Sequence, residues 1–163
     1  MTSPASIPGD RVRVQTFVHV PPNQAFDVFT GEIDTWWRRS PRFRLGTKQG
    51  STLRFEGEAG GRLVEVLEGG REHFIGKVLA WERGARLCFE WRAVNFSPLE
   101  VTEVEVLFEP GEGGTRVTLE HRGWAKIPRD HVVRHGQVDA EFVARLGSWW
   151  GDLATSYRET AED

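Results

Sequence analysis

His121 is the residue in this sequence that is best placed for acid–base chemistry. It follows Val117 and Leu119 at alternate positions of a β-like run, so the three side chains share one apolar face. A buried imidazole needs hydrogen-bond partners, and it could polarise a ligand carbonyl or accept a proton. The alternative is a structural histidine whose ring nitrogens are both satisfied within the protein. We favour the structural role and keep His121 among the candidate ligand contacts.

Two further histidines, His131 and His135, have His-x-x-x-His spacing. On a helix this spacing would put both rings on one face, as a metal site requires. No glutamate follows the first histidine, as it does in zinc proteases, and no third ligand is evident nearby in the sequence. We therefore predict a surface turn here, and we expect no metal and no other cofactor.

The remaining reactive side chains do not form a catalytic set. Glu103 and Glu105 flank Val104, which places the two carboxylates on the wet face of a strand. Cys88 has no histidine paired with it in the sequence pattern that would make it a nucleophile. The sequence therefore predicts no catalytic residue, although an enzyme with His121 as its base remains an alternative.

Aromatic residues are the unusual feature of the composition. The chain contains 7 Trp and 10 Phe but 1 Tyr, and large rings either fill a core or line a pocket. Adjacent Trp36 and Trp37 on a short helix cannot point the same way, so one would enter the core and the other could flank a cavity entrance. The alternative is that both pack in the core or at its rim. Trp91 shares a strand face with Phe89 and Leu87, where a core role and a cavity role are equally supported.

Four arginines follow the tryptophan pair, at positions Arg38, Arg39, Arg42 and Arg44. They could meet an acidic group on a ligand, but a solvated surface is the more common role of such a cluster. We predict the solvated surface and keep one arginine of this segment as a candidate for orienting a ligand.

The hydrophobic pattern indicates the scaffold that positions these side chains. Alternation over 11–20 predicts a first strand with one wet face. Helical spacing predicts a helix over 24–30 and a second short helix over 32–37. Short β-like runs separated by glycine turns then predict an antiparallel meander. The runs lie at 43–45, 52–56, 62–67, 72–82, 86–93, 100–109 and 115–122.

The period changes near the C-terminus, where apolar residues recur every three or four positions. They are Val138, Phe142, Leu146, Trp149, Leu153 and Tyr157. This spacing predicts one long amphipathic helix whose apolar stripe faces the sheet, with any cavity lying between the two. The predicted class is therefore α+β. The order of elements predicts a helix-grip fold. In such a fold a curved antiparallel sheet, here of six or seven strands, wraps on a long C-terminal helix, with two short helices after the first strand.

Length and charge limit the kinds of partner. The chain has 163 residues, enough for one domain, and we expect a flexible leader over 1–10 and a single domain over 11–160. A net charge of -3 gives no electrostatic reason to expect nucleic acid or an anionic membrane. No run approaches the roughly 20 apolar residues of a membrane span, and the single cysteine fits a reducing compartment. We therefore expect a cytoplasmic protein.

Segments spread along the chain carry a resemblance to a known family. They are 18–22, 25–30, 36–37, 76–79, 87–91, 104–110, 113–121 and the closing helix through Trp149-Trp150. Over about residues 11 to 158 the chain resembles homologues of the activator of heat-shock protein 90 ATPase, within the START-like (SRPBCC) superfamily. Proteins of this kind include lipid and polyketide binders, cyclases, hydratases and chaperone-associated domains. The resemblance therefore implies a START-like fold and leaves these activities open.

We accordingly expect the protein to bind a small hydrophobic or aromatic molecule in a cavity between the sheet and the C-terminal helix. The alternatives are a cyclase, hydratase or hydrolase on the same scaffold, and a co-chaperone-like module that stimulates a chaperone ATPase. A homodimer through strand edges is a further expected assembly. The candidate ligand-binding residues are Trp36, Trp37, Phe55, Phe74, Phe89, Trp91, Val104, Val106, Phe108, His121, Phe142, Leu146 and Trp149.

Overall fold

A computed structural model describes residues 9–46 and 50–163 as seven strands and three α-helices. The chain starts with β1 (Val12–Val18), α1 (Pro22–Gly31) and α2 (Ile33–Trp36). Six consecutive strands follow: β2 (Ser51–Glu56), β3 (Arg62–Leu67), β4 (Glu72–Glu82), β5 (Arg86–Trp91), β6 (Thr102–Gly111) and β7 (Gly114–Arg122). The long helix α3 (Asp139–Ala161) ends the described chain, after 3-10 turns at Trp124–Lys126 and Val132–Arg134. The predicted α+β class and the predicted order of elements are confirmed.

All seven strands form one antiparallel sheet in the order β1-β7-β6-β5-β4-β3-β2. The meander from β2 to β7 puts neighbours in sequence side by side, and β1 returns to pair with β7. In the middle of the sheet Phe89 pairs with Val104, which pairs with His121. These three side chains are buried on the concave side, as the period-2 alternation predicts.

The curvature of the sheet depends on irregular pairing along β4. Its register shifts against β3 between Leu63 and Val64, and against β5 between Val78 and Ala80. A Cβ atom at Gly76 would lie 1.6 Å from the backbone oxygen of Glu90, so only glycine fits there. Bulges of this kind bend a strand and increase its twist, which lets the sheet wrap on a helix.

The helix α3 packs across β1 and against α1. Acidic Asp139 and Glu141 in its first turn suit the helix dipole. Its buried line is Phe142, Trp150, Leu153, Tyr157 and Ala161. The line confirms the predicted long amphipathic helix with two changes: Trp150 is more deeply buried than Trp149, and Val138 is the exposed N-cap residue.

One predicted strand is wrong. Residues 43–45 form turns and bends, because the Arg44 side chain holds the chain in a loop. Its guanidinium donates to the backbone oxygens of Trp37 at 2.6 Å and Asp34 at 2.7 Å, and to the Asp34 carboxylate at 2.7 Å. Arg44 is therefore buried, and the predicted solvated surface is wrong for this arginine.

The N-terminal end of the described chain is attached to the segment after β7. The backbone oxygen of Asp10 accepts from Trp124 N at 3.0 Å, and its carboxylate accepts from Ala125 N at 3.1 Å. Residues 1–8 of the expected leader lie outside the described residues. Within the described ranges, no helix combines the length and the apolar character needed to cross a membrane.

Candidate functional site

The aromatic residues divide between two regions of the molecule. The first, which we call the packed region, lies under α1 and is built around Phe26, Phe29, Trp36, Phe108 and Tyr157, whose rings meet at centroid distances of 4.8 to 6.0 Å. The indole of Trp36 donates to the Phe29 backbone oxygen at 3.1 Å, and the Tyr157 hydroxyl donates to that of Ala25 at 2.7 Å. The void left beside these rings is about 20 Å³, room for about one water, so the packed region is a filled core.

The second region, which we call the groove, lies between the first half of α3, the end of β5 and the segment 124–135. It has a volume of about 470 Å³. Its apolar lining includes the rings of Trp91, His121, Trp124, Phe142 and Trp149. Pockets for small ligands typically have about 300–1,000 Å³ and a mainly apolar, aromatic lining. The groove has both properties.

The fold brings these rings together from four elements. Trp91 ends β5, and His121 lies at the adjoining end of β7. Gly123 has a φ of 95°, a left-handed conformation that favours glycine, and it turns the chain so that Trp124 begins a 3-10 turn. Phe142 and Trp149 lie two turns apart on one side of α3.

His121 is held in the wall of the groove by a chain of hydrogen bonds. Trp150 Nε1 donates to His121 Nδ1 at 3.0 Å, and His121 Nε2 lies 2.7 Å from Thr102 Oγ1. Since Nδ1 accepts from an indole, we assign the ring proton to Nε2, which donates to Thr102. Thr102 Oγ1 in turn donates to the Trp91 backbone oxygen at 3.2 Å. Each side-chain polar atom in this series of hydrogen bonds therefore has a partner.

Burial lowers the pKa of His121 to about 3, so the ring is neutral at pH 7. A neutral imidazole with both nitrogens occupied can neither accept a substrate proton nor donate to a ligand without breaking the chain. The geometry therefore supports the structural role of His121. His121 is still among the residues that line the groove, although its side chain is almost fully buried.

Two polar groups that line the groove are incompletely satisfied. Trp124 is 2% exposed, and its indole N–H has no hydrogen-bond partner within residues 9–46 and 50–163. Arg145 is half-buried; its Nε donates to Gln137 Oε1 at 2.7 Å and its Nη2 to the Val133 backbone oxygen at 2.6 Å. Desolvation lowers the pKa of Arg145, and no carboxylate of the described chain pairs with it. Sequence reasoning missed both residues.

The loop after α2 is attached to α3 at the rim of the groove. Trp149 Nε1 donates to the Arg42 backbone oxygen at 2.9 Å, and the Arg42 side chain forms an ion pair with Asp152. Arg38 Nε donates to the Asp152 backbone oxygen at 3.1 Å. The exposed arginines Arg38, Arg39 and Arg42 therefore lie on a solvated surface, as predicted, and they also fasten the loop.

A smaller pocket of about 190 Å³ lies on the other side of Trp91 and Trp149. Both rings, 5.8 Å apart between centroids, line the groove and this pocket. Trp37 stacks on Trp91 at 5.8 Å and lines the smaller pocket. Trp91 and Trp149 thus form the wall between two neighbouring spaces.

The structure distributes the predicted ligand-binding residues over several places. Five line the groove: Trp91, His121, Phe142, Leu146 and Trp149. Trp36 lies in the packed region and Trp37 lines the smaller pocket, and neither is among the residues that line the groove. The core also contains Phe55, Phe89, Val104, Val106 and Phe108.

Phe74, the thirteenth predicted ligand contact, lines neither the groove nor the smaller pocket beside it. It is 39% exposed, with the Arg92 guanidinium 5.2 Å from its ring centroid. The register shift in the β3–β4 pairing makes Ile75, the next residue, the buried side chain at this point.

His131 and His135 do not share the face of a helix, which the His-x-x-x-His spacing would need for a metal site. The two residues lie on either side of the 3-10 turn Val132–Arg134. His131 Nε2 is 3.1 Å from Glu100 Oε1, and its Nδ1 accepts from Val133 N at 3.0 Å. Across the described ranges no group of three His, Cys, Asp or Glu side chains has metal-binding geometry.

A curved antiparallel sheet that grips a C-terminal helix, with a ring-lined groove at one end of that helix, defines a START-like α+β domain. The family model described as Activator of Hsp90 ATPase homolog 1-like protein matches residues 19–148. The chain therefore belongs to this family. A search of curated proteins finds no match.

Solved structures share the fold at low sequence identity. The Aha1 dimer from Colwellia psychrerythraea is 15% identical with a TM-score of 0.64, covering 93% of this chain and 96% of that one. Protein MLL2253 from Mesorhizobium loti is 17% identical with a TM-score of 0.63, covering 92% and 95%. Protein SA2116 from Staphylococcus aureus, of unknown function, is 14% identical with a TM-score of 0.64, covering 93% and 92%. At these identities the likeness concerns the fold alone.

Proposed function

We propose that the protein binds a small, largely apolar or aromatic molecule in the groove. The observation that carries this proposal is the groove itself: about 470 Å³ of space lined by rings, in a domain whose other aromatic cluster leaves about 20 Å³. Burial of a ligand's apolar surface would drive binding at about 25 cal/mol per Å², less the cost of ordering the ligand.

Trp91 is the side chain that would contribute most to the affinity for an aromatic ligand. It is half-buried, it lines the groove, and Trp37 and Trp149 hold it in place by ring contacts at 5.8 Å. A ring fixed before the ligand arrives loses little conformational entropy on binding. An aromatic ligand packed on it would gain about 0.5–1.5 kcal/mol beyond area burial.

The test uses N-phenyl-1-naphthylamine, a neutral apolar probe whose fluorescence rises in an apolar site. We expect saturable binding to the wild-type protein and about tenfold weaker binding to Trp91→Ala. Trp81→Ala is the matched control, because Trp81 packs against Phe26 and Phe55 and lines no part of the groove. Equal affinity in the wild type and in a folded Trp91→Ala variant would contradict the proposal.

A co-chaperone-like module that stimulates a chaperone ATPase is the second candidate. The family description favours it, as does the apolar surface on the loop between β5 and β6, where Leu99 is 94% exposed. Stimulation of a chaperone ATPase by the purified protein, lost in Leu99→Ser, would support this function over ligand binding. Enzymatic activity based on His121 has less support, because both ring nitrogens are occupied.

The cytoplasm is the compartment that this function fits best. The single cysteine, Cys88, is buried, and burial raises the pKa of its thiol, so it suits a reducing environment without forming a disulfide. A homodimer is a further proposed assembly. The sheet has β1 and β2 as its edge strands, and one structure of the same fold is that of a dimer.

A further inference from the structure

The side chains around Phe142 carry more positive than negative charge. The guanidinium carbons of Arg134 and Arg145 lie 4.9 Å and 5.5 Å from the Phe142 ring centroid. The one carboxylate paired with this cluster in the described structure is Asp139, and Arg134 shares it. Asp139 Oδ2 is 2.6 Å from Arg129 Nη1, while Oδ1 is 3.6 Å from Arg134 Nη1. Arg129 and Arg134 therefore share one carboxylate, and Arg145 pairs with none in the described chain.

Arg145 is the member of this cluster that lines the groove. Its described hydrogen bonds use Nε and Nη2, and both acceptors are neutral oxygens. Glu141, one helical turn earlier, is exposed and forms no ion pair with it in the described chain. A half-buried guanidinium without a carboxylate is costly, since desolvation is not offset by an opposite charge. An anion that binds beside it would remove that cost.

Trp124 packs against the same phenyl ring and carries a second donor. Its ring centroid lies 5.0 Å from that of Phe142, so Trp124 and Arg145 pack on one ring. A buried indole N–H without an acceptor costs free energy, and such groups are rare in folded proteins. Because the Trp124 side chain lines the groove, a ligand oxygen there is a candidate acceptor for this N–H.

We propose that the natural ligand of the groove is an apolar molecule that carries a carboxylate, with Arg145 and the Trp124 indole N–H as the groups that bind this carboxylate. The inference rests on the proposed function and adds the chemical class of the ligand. The planar guanidinium fork matches the geometry of a carboxylate, and hydrogen bonds to a charged acceptor are about twice as strong as neutral ones.

Arg42 is the other arginine at the groove, and its charge is already compensated. It forms an ion pair with Asp152, and the two side chains are 47% and 46% exposed. Water and Asp152 solvate this guanidinium, so an incoming anion gains little from it. The binding site for the carboxylate is therefore assigned to the Phe142 side of the groove.

The test compares two ligands of the same shape, 2-naphthoate and 2-naphthamide, of which only the first is charged at pH 7. We expect the wild-type protein to bind the naphthoate about tenfold more tightly than the naphthamide. Arg145→Met should remove this preference and leave the affinity for naphthamide within about twofold. Arg158→Met, the same change on an exposed arginine in the last turn of α3, is the matched control and should keep the preference.

Two further variants separate recognition from folding. Arg145→Lys keeps the charge without the fork and should retain part of the preference. Trp124→Phe should weaken naphthoate binding several-fold more than naphthamide binding. A thermal melt of each variant establishes that it is folded before its affinities are compared.

The outcomes distinguish the inference from the function on which it rests. If naphthamide binds and the tenfold preference is absent, or persists in Arg145→Met, the carboxylate site is wrong and apolar binding stands. If 2-naphthoate, 2-naphthamide and N-phenyl-1-naphthylamine all fail to bind to the folded wild-type protein, the proposed function fails and the inference fails with it.

Discussion

The packed region and the groove are both built from tryptophan, phenylalanine and one long helix, yet one is filled and the other is open. In the packed region the polar atoms of Trp36 and Tyr157 donate to backbone oxygens. In the groove the Trp124 indole has no partner in the described chain, and the charge of Arg145 is uncompensated. A cluster of rings with satisfied polar atoms is a core, whereas the same ring types with unused donors around a space are the features on which the proposed binding site rests.

The helix α3 belongs to both regions, which explains why its sequence pattern is uniform. Tyr157 and Leu153 face the packed region, while Phe142 and Leu146 face the groove about two to four turns earlier. The difference between the regions comes from what lies opposite. Helix α1 covers the first, whereas irregular chain after β5 and β7 surrounds the second.

The largest expected effect is a difference in the free energy of unfolding between variants of the packed region and of the groove. Trp36→Ala should lower the free energy of unfolding by about 3–5 kcal/mol, because it opens a cavity in a filled core. Trp149→Ala should cost clearly less, since Trp149 is half-buried and already borders open space. Urea denaturation of both variants measures the difference. Equal losses would show that the groove is as tightly packed as the core.

The second prediction concerns pH and the His121 chain. The folded protein keeps His121 neutral down to a pKa of about 3, while the unfolded chain protonates it near the ordinary value of 6.5. Between these values the unfolded state binds the extra proton, so stability falls as pH falls, by about 1.4 kcal/mol per pH unit from this residue. Above pH 6.5 the residue contributes no pH dependence.

Two measurements check the pH prediction. The slope of unfolding free energy against pH between 6 and 4 should be steeper in the wild type than in His121→Asn. The His121 ring resonances of the native protein should not titrate between pH 5 and 8. A native titration midpoint near 6.5 would contradict the buried neutral ring.

The third prediction compares two tryptophans that differ in whether the indole N–H is used. Trp150→Phe leaves His121 Nδ1 without its donor, whereas Trp124→Phe removes a donor that has no partner in the described chain. Both changes remove a similar volume, so Trp150→Phe should be the more destabilising by about 1–2 kcal/mol. Thermal or urea unfolding measures this. The reverse order would mean that the Trp124 donor is satisfied.

The smallest effect is expected at the rim of the groove. Asp152→Asn removes the ion pair with Arg42, and exposed pairs of this kind contribute about 0–1 kcal/mol. Unfolding should change by less than about 1 kcal/mol, and the preference for 2-naphthoate should remain. A large loss of stability, or of the preference for 2-naphthoate, would show that the ion pair between Arg42 and Asp152 controls the shape of the groove.

Sequence patterns predicted the scaffold well, because burial on one face imposes a period. The predicted bounds 62–67 and 72–82 are those of β3 and β4. The predicted stripe of α3 includes Phe142 and Leu146, and both side chains line the groove. The strand predicted at 43–45 was wrong because short apolar runs are ambiguous, and the buried Arg44 reads as a surface residue in sequence.

The groove could be predicted only in part, because the residues that distinguish it do not follow a periodic hydrophobic pattern in the sequence. Trp124 follows a left-handed glycine in an irregular segment, so no alternation indicates which way it faces. Arg145 looks like one of the charged residues of a solvated helix face. One sequence signal was available: a tryptophan two residues after the strand that ends at Arg122, and three residues from His121.

The most direct test of the central claim is a titration of the seven tryptophan indole N–H resonances with 2-naphthamide, each assigned by a Trp→Phe variant. Binding in the groove should shift the resonances of Trp91, Trp124 and Trp149 most. Those of Trp36 and Trp81 should change little. The largest shifts at Trp36 and Trp81, or no shift at any indole at saturating naphthamide, would contradict the division into a filled core and an open ligand site.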